Sequence, residues 1–577
     1  MDSSQKYENH PPCNLTVTDI KPGQSDTTTR EEPSFPLAVF LQFAQPASQW
    51  TELLVLLTIA LPLRCFTATW GYSGYQKPPT FGDFEAQRHW MEITTQLPIT
   101  LWYFHDQDWW PLDYPPLTAY HSWVLGKVGI VVKPDWFALY RSRGLEGFGL
   151  KVFMRSTVIF SECLISVPAT VLCVRQLGKL CDNDRYVWQS STALASLLLQ
   201  PALILIDHGH FQYNAVMLGF FMAALASFFA GRRLVGCVFF VAALGFKQMA
   251  LFYAPAVTAY LAGGCFAPKF RPLRLLAIAG VTISSFAILY LPLLFRAWHD
   301  SSRGIPLLLD TTAGLQVQML LATVPSDLHP YVVLIGQSLH RIFPFSRGLF
   351  EDKVANIWCS IHFSGLYKLN TRHSPEVLSK AALGLTLLFI MPPCLIIFLR
   401  PRKRLILLAS TACAWGFFLC SYQVHEKNVL LPLLPMTALL AGPGGTKAAT
   451  RAWVGFANIV STWTLFHLLI KDELQMVYFP LIGVWTYLLG FPPFTLGPYR
   501  VSTENGGPSR FTKCIHLSAY AGIAVWHVLE CIVPPPAGKA DLWIVANIIS
   551  GCGAFCLCYL WCLWNLVRES GLMVGES

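Results

Sequence analysis

The run LLAIAGVTISSFAILYLPLLF, residues 275–295, holds 21 consecutive residues without a charge. Wound as a helix, it is long enough to cross the roughly 30 Å hydrocarbon core of a bilayer. It belongs to one of fourteen apolar stretches along the chain, at about 51–66, 151–174, 190–206, 214–230, 234–246, 248–264, 273–295, 377–399, 405–420, 429–442, 452–470, 477–491, 515–533 and 542–566. Composition agrees. Of 577 residues, 54% are hydrophobic and only 13% charged, where a soluble domain carries about 25% charge. The mean hydropathy is +0.45. The reading is an all-α polytopic membrane protein with about 12–14 transmembrane helices.

The pair 234–246 and 248–264 is short and meets at Lys247-Gln248. It reads as two short helices whose polar join touches a cavity, because irregular backbone is tolerated at membrane depth only there; one long tilted helix is the alternative. Counted as two passes, the pair puts the basic short loops on one side. These are Arg232-Arg233; Lys269, Arg271 and Arg274; Arg400 to Arg404; Lys447 and Arg451; Arg500, Arg510 and Lys513. That side is then cytosolic. Both termini are cytosolic on this count, and the sequon at Asn14 stays unmodified. Arg64, at the end of the first span, argues locally against it. The formal charge of +9 follows from these loops, and no basic run interleaved with aromatics points to nucleic acid. The 17 cysteines lie mostly inside apolar runs and read as small packing residues.

The domains follow. Residues 1–49 are a polar, Pro/Ser/Thr-rich cytosolic tail expected to be disordered. Residues 50–567 are the membrane domain, and 568–577 a short cytosolic tail. Between the first two spans lies a lumenal loop of about 84 residues, 67–150. Loops that long are functional or disordered, and this one is too aromatic for disorder.

Four polar clusters fall on the lumenal side: GDFEAQRHW (82–90) with LDYPPLTAYH (112–121), DHGHFQYN (207–214), RGLFEDKVAN (347–356) and QVHEKN (423–428). The cytosolic loops hold no comparable mixture of acids, imidazoles and amides. Asp83 or Glu85 could serve as a general base toward a hydroxyl; Asp83 could equally begin a helix. Asp106-Gln-Asp108 and Asp182-Asn-Asp184 fit the D-x-D pattern of metal-dependent sugar transferases, but three-residue patterns are weak. His208-x-His210 is a metal pair without a third ligand, or an interfacial hydrogen-bonding pair. Arg347, Lys353, His425 and Lys427 suit a phosphate gaining negative charge, or snorkel to lipid headgroups. Arg155 and Glu162, seven apart in one span, face the bundle interior and could pair. Trp90, Trp109, Trp110 and Tyr114 could stack on sugar rings or anchor the loop at the lipid surface. Lys471-Asp-Glu-Leu474 is no retrieval signal, since it is not at the C-terminus.

Those long motifs, in that order, resemble the dolichyl-phosphate-glucose-dependent α-1,3-glucosyltransferases of the endoplasmic reticulum. The resemblance runs from about residue 50 to the C-terminus. It implies a C-type glycosyltransferase fold with membrane-parallel helices in the long first lumenal loop. It implies Asp83 as catalytic base; the departing donor phosphate needs its charge stabilised, and His425, Lys427, Lys353 and Arg347 are the candidates for that. The remaining motif residues, Glu85, Arg88, His89, Asp113, Tyr114, His208, His210, Gln212, Asn214 and Asp352, become expected substrate contacts. The expected partners are dolichyl phosphate glucose, a lipid-linked oligosaccharide acceptor and membrane lipids, with no nucleic acid. A single chain should suffice, with no metal and no cofactor, in the endoplasmic reticulum membrane with the site lumenal.

Within the family, the residues after Pro115-Pro116 are more like the enzyme that adds the first glucose, to a nine-mannose glycan. The sister enzyme adding the second glucose is the near alternative. A transporter of lipid-linked sugars is the distant one; it predicts inverted repeats and polar sites in both halves, and no internal repeat is visible.

Overall fold

A computed structural model describes residues 35–39, 49–79, 81–181, 186–304, 323–343, 350, 352–365, 367–445 and 447–572. Asn14, Asp182, Asp184 and Arg347 lie outside the described residues. The ordered elements among those described are helical.

The helices used below are α1 (Gln49–Ala68), α2 (Gly82–Gln96), α3 (Pro116–Val132), α4 (Phe148–Gly178), α5 (Ser190–Phe211), α6 (Asn214–Phe229), α7 (Arg233–Phe246), α8 (Gln248–Phe266), α9 (Pro272–Ser302), α10 (His329–Ile342), α11 (Pro375–Leu399), α12 (Lys403–Cys420), α13 (Leu430–Ala438), α14 (Ala448–Lys471), α15 (Gln475–Leu489), α16 (Arg510–Ile532) and α17 (Leu542–Ser570). Ten of them are long and apolar enough to cross a membrane, and α6, α7 and α15 are shorter apolar helices. With the nine-residue α13, they occupy the fourteen apolar stretches read from the sequence.

Lys247 is extended, with φ −146° and ψ 124°, and a 3-10 turn over Gln248–Tyr253 follows it. The 234–264 stretch is therefore two helices. The chain turns back there, so the Gly263–Gly264 end of α8 returns to Arg233 and Phe398. The basic loops collect at that end. Arg274 Nη1 donates to Gly264 O at 2.9 Å, and Lys403 sits 3.0 Å from where a Gly231 Cβ would project. The opposite end carries the long loop.

That loop is a packed layer. Its α2 and α3 lie against each other, and Trp90, Trp102, Tyr103 and Leu112 form a core with Leu293 and Ala297 of α9 and Val333 and Leu334 of α10. Tyr120 OH donates to Leu289 O at 2.8 Å. Gln248 Nε2 bridges Asp113 O and Ile342 O at 3.3 and 3.1 Å.

Three readings need correction. The tail over 1–49 is packed at 35–39, where Phe35, Leu37 and Ala38 are buried against Leu56, Trp485 and Phe491; its few apolar residues find a groove between spans. Arg64 is not a loop charge. It is 2% exposed inside the bundle and binds Glu162 through two bonds of 2.7 Å, so it has no bearing on loop-charge orientation. Glu162 thus takes Arg64 and His208, the latter at 2.7 Å. Arg155 instead donates to Gly71 O and Gly209 O at 2.8 and 2.7 Å.

Candidate active site

Asp83 sits in the first turn of α2, where Gly82 adopts φ +60° and a Cβ on it would lie 2.6 Å from the Ser73 carbonyl. Only glycine permits that approach. It lets Ser73 Oγ receive the Asp83 N–H at 3.2 Å. Asp83 therefore does not spend its own carboxylate on capping the helix, and the helix-start alternative falls away.

Three groups converge on one oxygen, Asp83 Oδ2. Lys427 Nζ and Gln212 Nε2 donate to it, and His210 Nε2 lies 3.0 Å away. They come from distant chain segments. Gln212 and His210 are delivered by a wide π-helical end of α5, Leu205–Phe211, closed by Phe211 at φ +87°. Such π-turns are frequent at functional sites. Lys427 lies in the 3-10 turn Glu426–Val429 ahead of α13.

Behind this contact, His210 Nδ1 is 2.5 Å from Asp472 Oδ2. Each ring nitrogen faces a carboxylate oxygen, an arrangement in which both carry protons. On the other side, Lys247 Nζ donates to Gln212 Oε1 at 3.1 Å and to Asn214 Oδ1 at 2.7 Å, above the Tyr114 ring at 4.8 Å. With both amide oxygens engaged by Lys247, the Gln212 NH2 is turned to Asp83 and the Asn214 NH2 to Asp207, at 2.9 Å. Asp207 also accepts the Ala215 N–H at 2.6 Å.

Burial pushes the Asp83 carboxyl up, but the Lys427 ammonium and then His210 outweigh it and hold the carboxyl well below its ordinary value. Burial likewise pushes Lys427 down, and Asp83 more than restores it, so the ammonium is held above its ordinary value. The Asp83 side chain keeps 21% of its surface exposed and Lys427 17%. This is an ionised, partly exposed carboxylate backed by cations and amides.

The remaining predicted residues fall elsewhere. Glu85, Arg88 and His89 point away from Asp83. Arg88 is fully buried, bound to Glu85 and to Glu92 at 2.5 and 2.8 Å, to Ser142 Oγ at 2.6 Å and to Trp136 O at 3.1 Å, while His89 Nδ1 lies 3.2 Å from Glu92. This network fastens α2 to the far half of the loop. Against its burial, His89 and Arg88 hold Glu92 down to about 2. His208 is buried on Glu162. His425 pairs with Asp352, two residues before Lys427. Lys353 pairs with Asp541 at 2.5 Å, away from Asp83. Asp113 accepts Gln248 Nε2 on its backbone carbonyl at 3.3 Å.

Among the aromatics, Trp90 is 3% exposed and gives its N–H to Trp110 O at 3.0 Å, so it faces neither sugar nor lipid. Asp106 pairs with Arg143, which also covers Trp109 at 5.2 Å. Among the described residues no three His, Cys, Asp or Glu side chains group as metal ligands.

Two participants escaped the sequence reading. Asp472 was passed over inside the Lys471–Leu474 tetrapeptide; its signal is an acid at the end of an apolar span. Lys247 was noted only as a polar join.

A sequence model of the ALG6, ALG8 glycosyltransferase family matches residues 53–308 and 309–564. The chain belongs to this family. A Schizosaccharomyces pombe protein is 40% identical over 502 residues, covering 86% of this chain and 88% of its own. A Saccharomyces cerevisiae protein is 38% identical over 559 residues, covering 93% and 96%. A Gallus gallus protein is 38% identical over 437 residues, covering 74% and 76%. The last two are named dolichyl pyrophosphate Man9GlcNAc2 alpha-1,3-glucosyltransferase, and the first bears that name preceded by "probable". The glycosyltransferase resemblance, the all-helical membrane fold and the enzyme class are thus established, and the ALG6, ALG8 chain is a glycosyltransferase with its polar cluster at one end of a helical bundle.

Proposed function

We propose that this chain transfers glucose from dolichyl phosphate glucose to the terminal mannose of a dolichyl-pyrophosphate-linked nine-mannose glycan, forming an α-1,3 linkage on the lumenal face of the endoplasmic reticulum membrane. The observation that carries this reading is the half-open Asp83 carboxylate with three donors gathered on Oδ2. The relatives' names support the acceptor and the linkage.

A β-linked donor and an α-linked product require one displacement at the glucose C1. The acceptor 3-oxygen attacks C1, its proton passes to Asp83, and the bond from C1 to the phosphate oxygen breaks. Dolichyl phosphate leaves with the electron pair. No carboxylate nucleophile is needed, and no general acid, because the phosphate is already a good leaving group. His210, Gln212 and Lys427 occupy Oδ2, which leaves Oδ1 for the incoming hydroxyl. Lys427 is the cation placed to follow the negative charge as it moves from Asp83 to the departing phosphate. His425 is the second candidate for that phosphate.

The test is transfer by purified protein with synthetic dolichyl phosphate glucose and two acceptors, one with nine mannoses and no glucose, the other already monoglucosylated, each with and without EDTA. Transfer only to the first, unchanged by EDTA, is expected. Transfer only to the second would make this the sister enzyme, and loss in EDTA would turn attention to Asp106 and Asp108. Asp83→Asn should lower turnover by roughly 10²- to 10⁴-fold with normal expression; wild-type transfer by that variant would sink the assignment of the base.

A further inference from the structure

We propose that a cavity at the basic end of the bundle, opposite Asp83, binds the phosphate headgroup of an anionic glycerophospholipid. The cavity is about 310 Å³, within the size range of small-molecule sites. Three cations edge it, each from a different part of the chain: Arg404 at the start of α12, Lys447 just before α14 and Arg568 in the last turn of α17. Glu569 is the acid in its lining, so the rim carries two positive charges in excess.

No ion pair among the described residues neutralises Arg404, Lys447 or Arg568. Arg568 Nη2 donates to the uncharged Asn565 Oδ1 at 2.7 Å. Like charges held around one concavity repel each other, and an anion between them removes that repulsion. The walls differ from the rim. Leu177, Leu407, Leu439 and Trp561 line the interior. A free inorganic anion would use the rim alone. A phosphodiester with a glycerol stem and the first acyl carbons uses both. Basic pockets between spanning helices on the cytosolic side are suited to such headgroups.

The test uses the full chain in neutral detergent, with phosphatidylserine or phosphatidylcholine added, read by native mass spectrometry and by the shift in Tm. The wild-type protein should retain phosphatidylserine at least about tenfold better than phosphatidylcholine. The triple variant Arg404→Gln/Lys447→Gln/Arg568→Gln should lose that preference while keeping its Tm in phosphatidylcholine. Glu569→Gln should strengthen it. If the triple variant fails to fold, Arg568→Gln alone should weaken the preference. Equal retention of the two lipids by the wild type, or a full preference in a folded triple variant, overturns the proposal. So does a weaker preference in Glu569→Gln, or an equal Tm shift from millimolar inorganic phosphate without lipid.

Discussion

At the scale of the residue, the base and the cation beside it are chemically interdependent. Asp83 is buried enough to lose solvation, and Lys427 and His210 keep it ionised against that loss. With its folded value below the ordinary carboxylate range, Asp83 should impose no acid limb on kcat/KM between about pH 5 and 8. Lys427→Gln removes the largest stabilising charge and leaves the burial. The carboxyl should then titrate higher, and an acid limb should appear, activity falling as the pH is lowered. A pH profile of kcat/KM for the variant decides this: a uniform drop at every pH would mean that Lys427 serves the phosphate alone. The same sign applies to stability. The Asp83 contribution is present above the unfolded carboxylate value and is lost only as the pH falls through the lower, folded one.

Asp472 acts one step further back. It touches His210, and His210 touches Asp83, so its role is to hold the ring. Asp472→Asn should reduce kcat by up to about 100-fold, the cost of a misplaced reacting group, with KM for the donor little changed. An equal rise in KM with kcat intact would assign Asp472 to substrate binding.

At the scale of the element, α1, α4 and α5 are joined by a buried polar contact, Arg64 ion-paired with Glu162 and Glu162 hydrogen-bonded with His208. Glu162 lies at the start of the π-turn Glu162–Ser166, and its Oε2 meets both Arg64 Nε and His208 Nε2 at 2.7 Å. Removing one member strands a buried charge. Glu162→Gln should therefore destabilise by about 3–5 kcal/mol, and Arg64→Leu with Glu162→Leu should recover most of that. Thermal unfolding of the purified variants measures both. If the double variant is no more stable than the single, the contact contributes as an ion pair and not only as a matched burial.

This contact also shows where sequence reading stops. The apolar stretches, their bounds within a few residues and the break at Lys247 were legible because length and hydropathy dictate them. So was Asp83, through its motif and its place in a polar loop. The partners of buried charges were not. Arg155 and Glu162 share a face on paper, yet Glu162 meets Arg64 and His208 while Arg155 meets the carbonyls of Gly71 and Gly209, and no periodicity announces partners on other helices. Glu85, Arg88 and His89 looked like site residues because polar groups in a motif between apolar spans do. Their work, together with Glu92 of the same helix, is to lock α2 to Ser142 and Trp136, and a sequence does not distinguish a polar group facing a substrate from one facing its own loop.

At the scale of the whole molecule, polarity runs from one end of the bundle to the other. Arg233, Arg274, Lys403, Arg404, Lys447 and Arg568 gather at one end, and Asp83, His210, Lys427 and Asp472 at the other. A lone charge such as Arg64 could confuse the orientation in sequence, but inside the bundle it is paired with Glu162 and belongs to no loop. On the proposed reading, the positive-inside rule puts the basic end in the cytosol and the Asp83 end in the lumen, where the glycan of a lipid-linked acceptor would have to be. Two exposed loop positions test this. Lys269 lies between α8 and α9 at the basic end, and Ala537 lies between α16 and α17 on the side of Lys353 and Asp541. In sealed, right-side-out microsomes, a membrane-impermeant maleimide should label Lys269→Cys above the wild-type background. It should reach Ala537→Cys only after the membrane is permeabilised. The reverse pattern would turn the molecule over and put the carboxylate on the cytosolic face, where the proposed reaction could not draw on a lumenal acceptor.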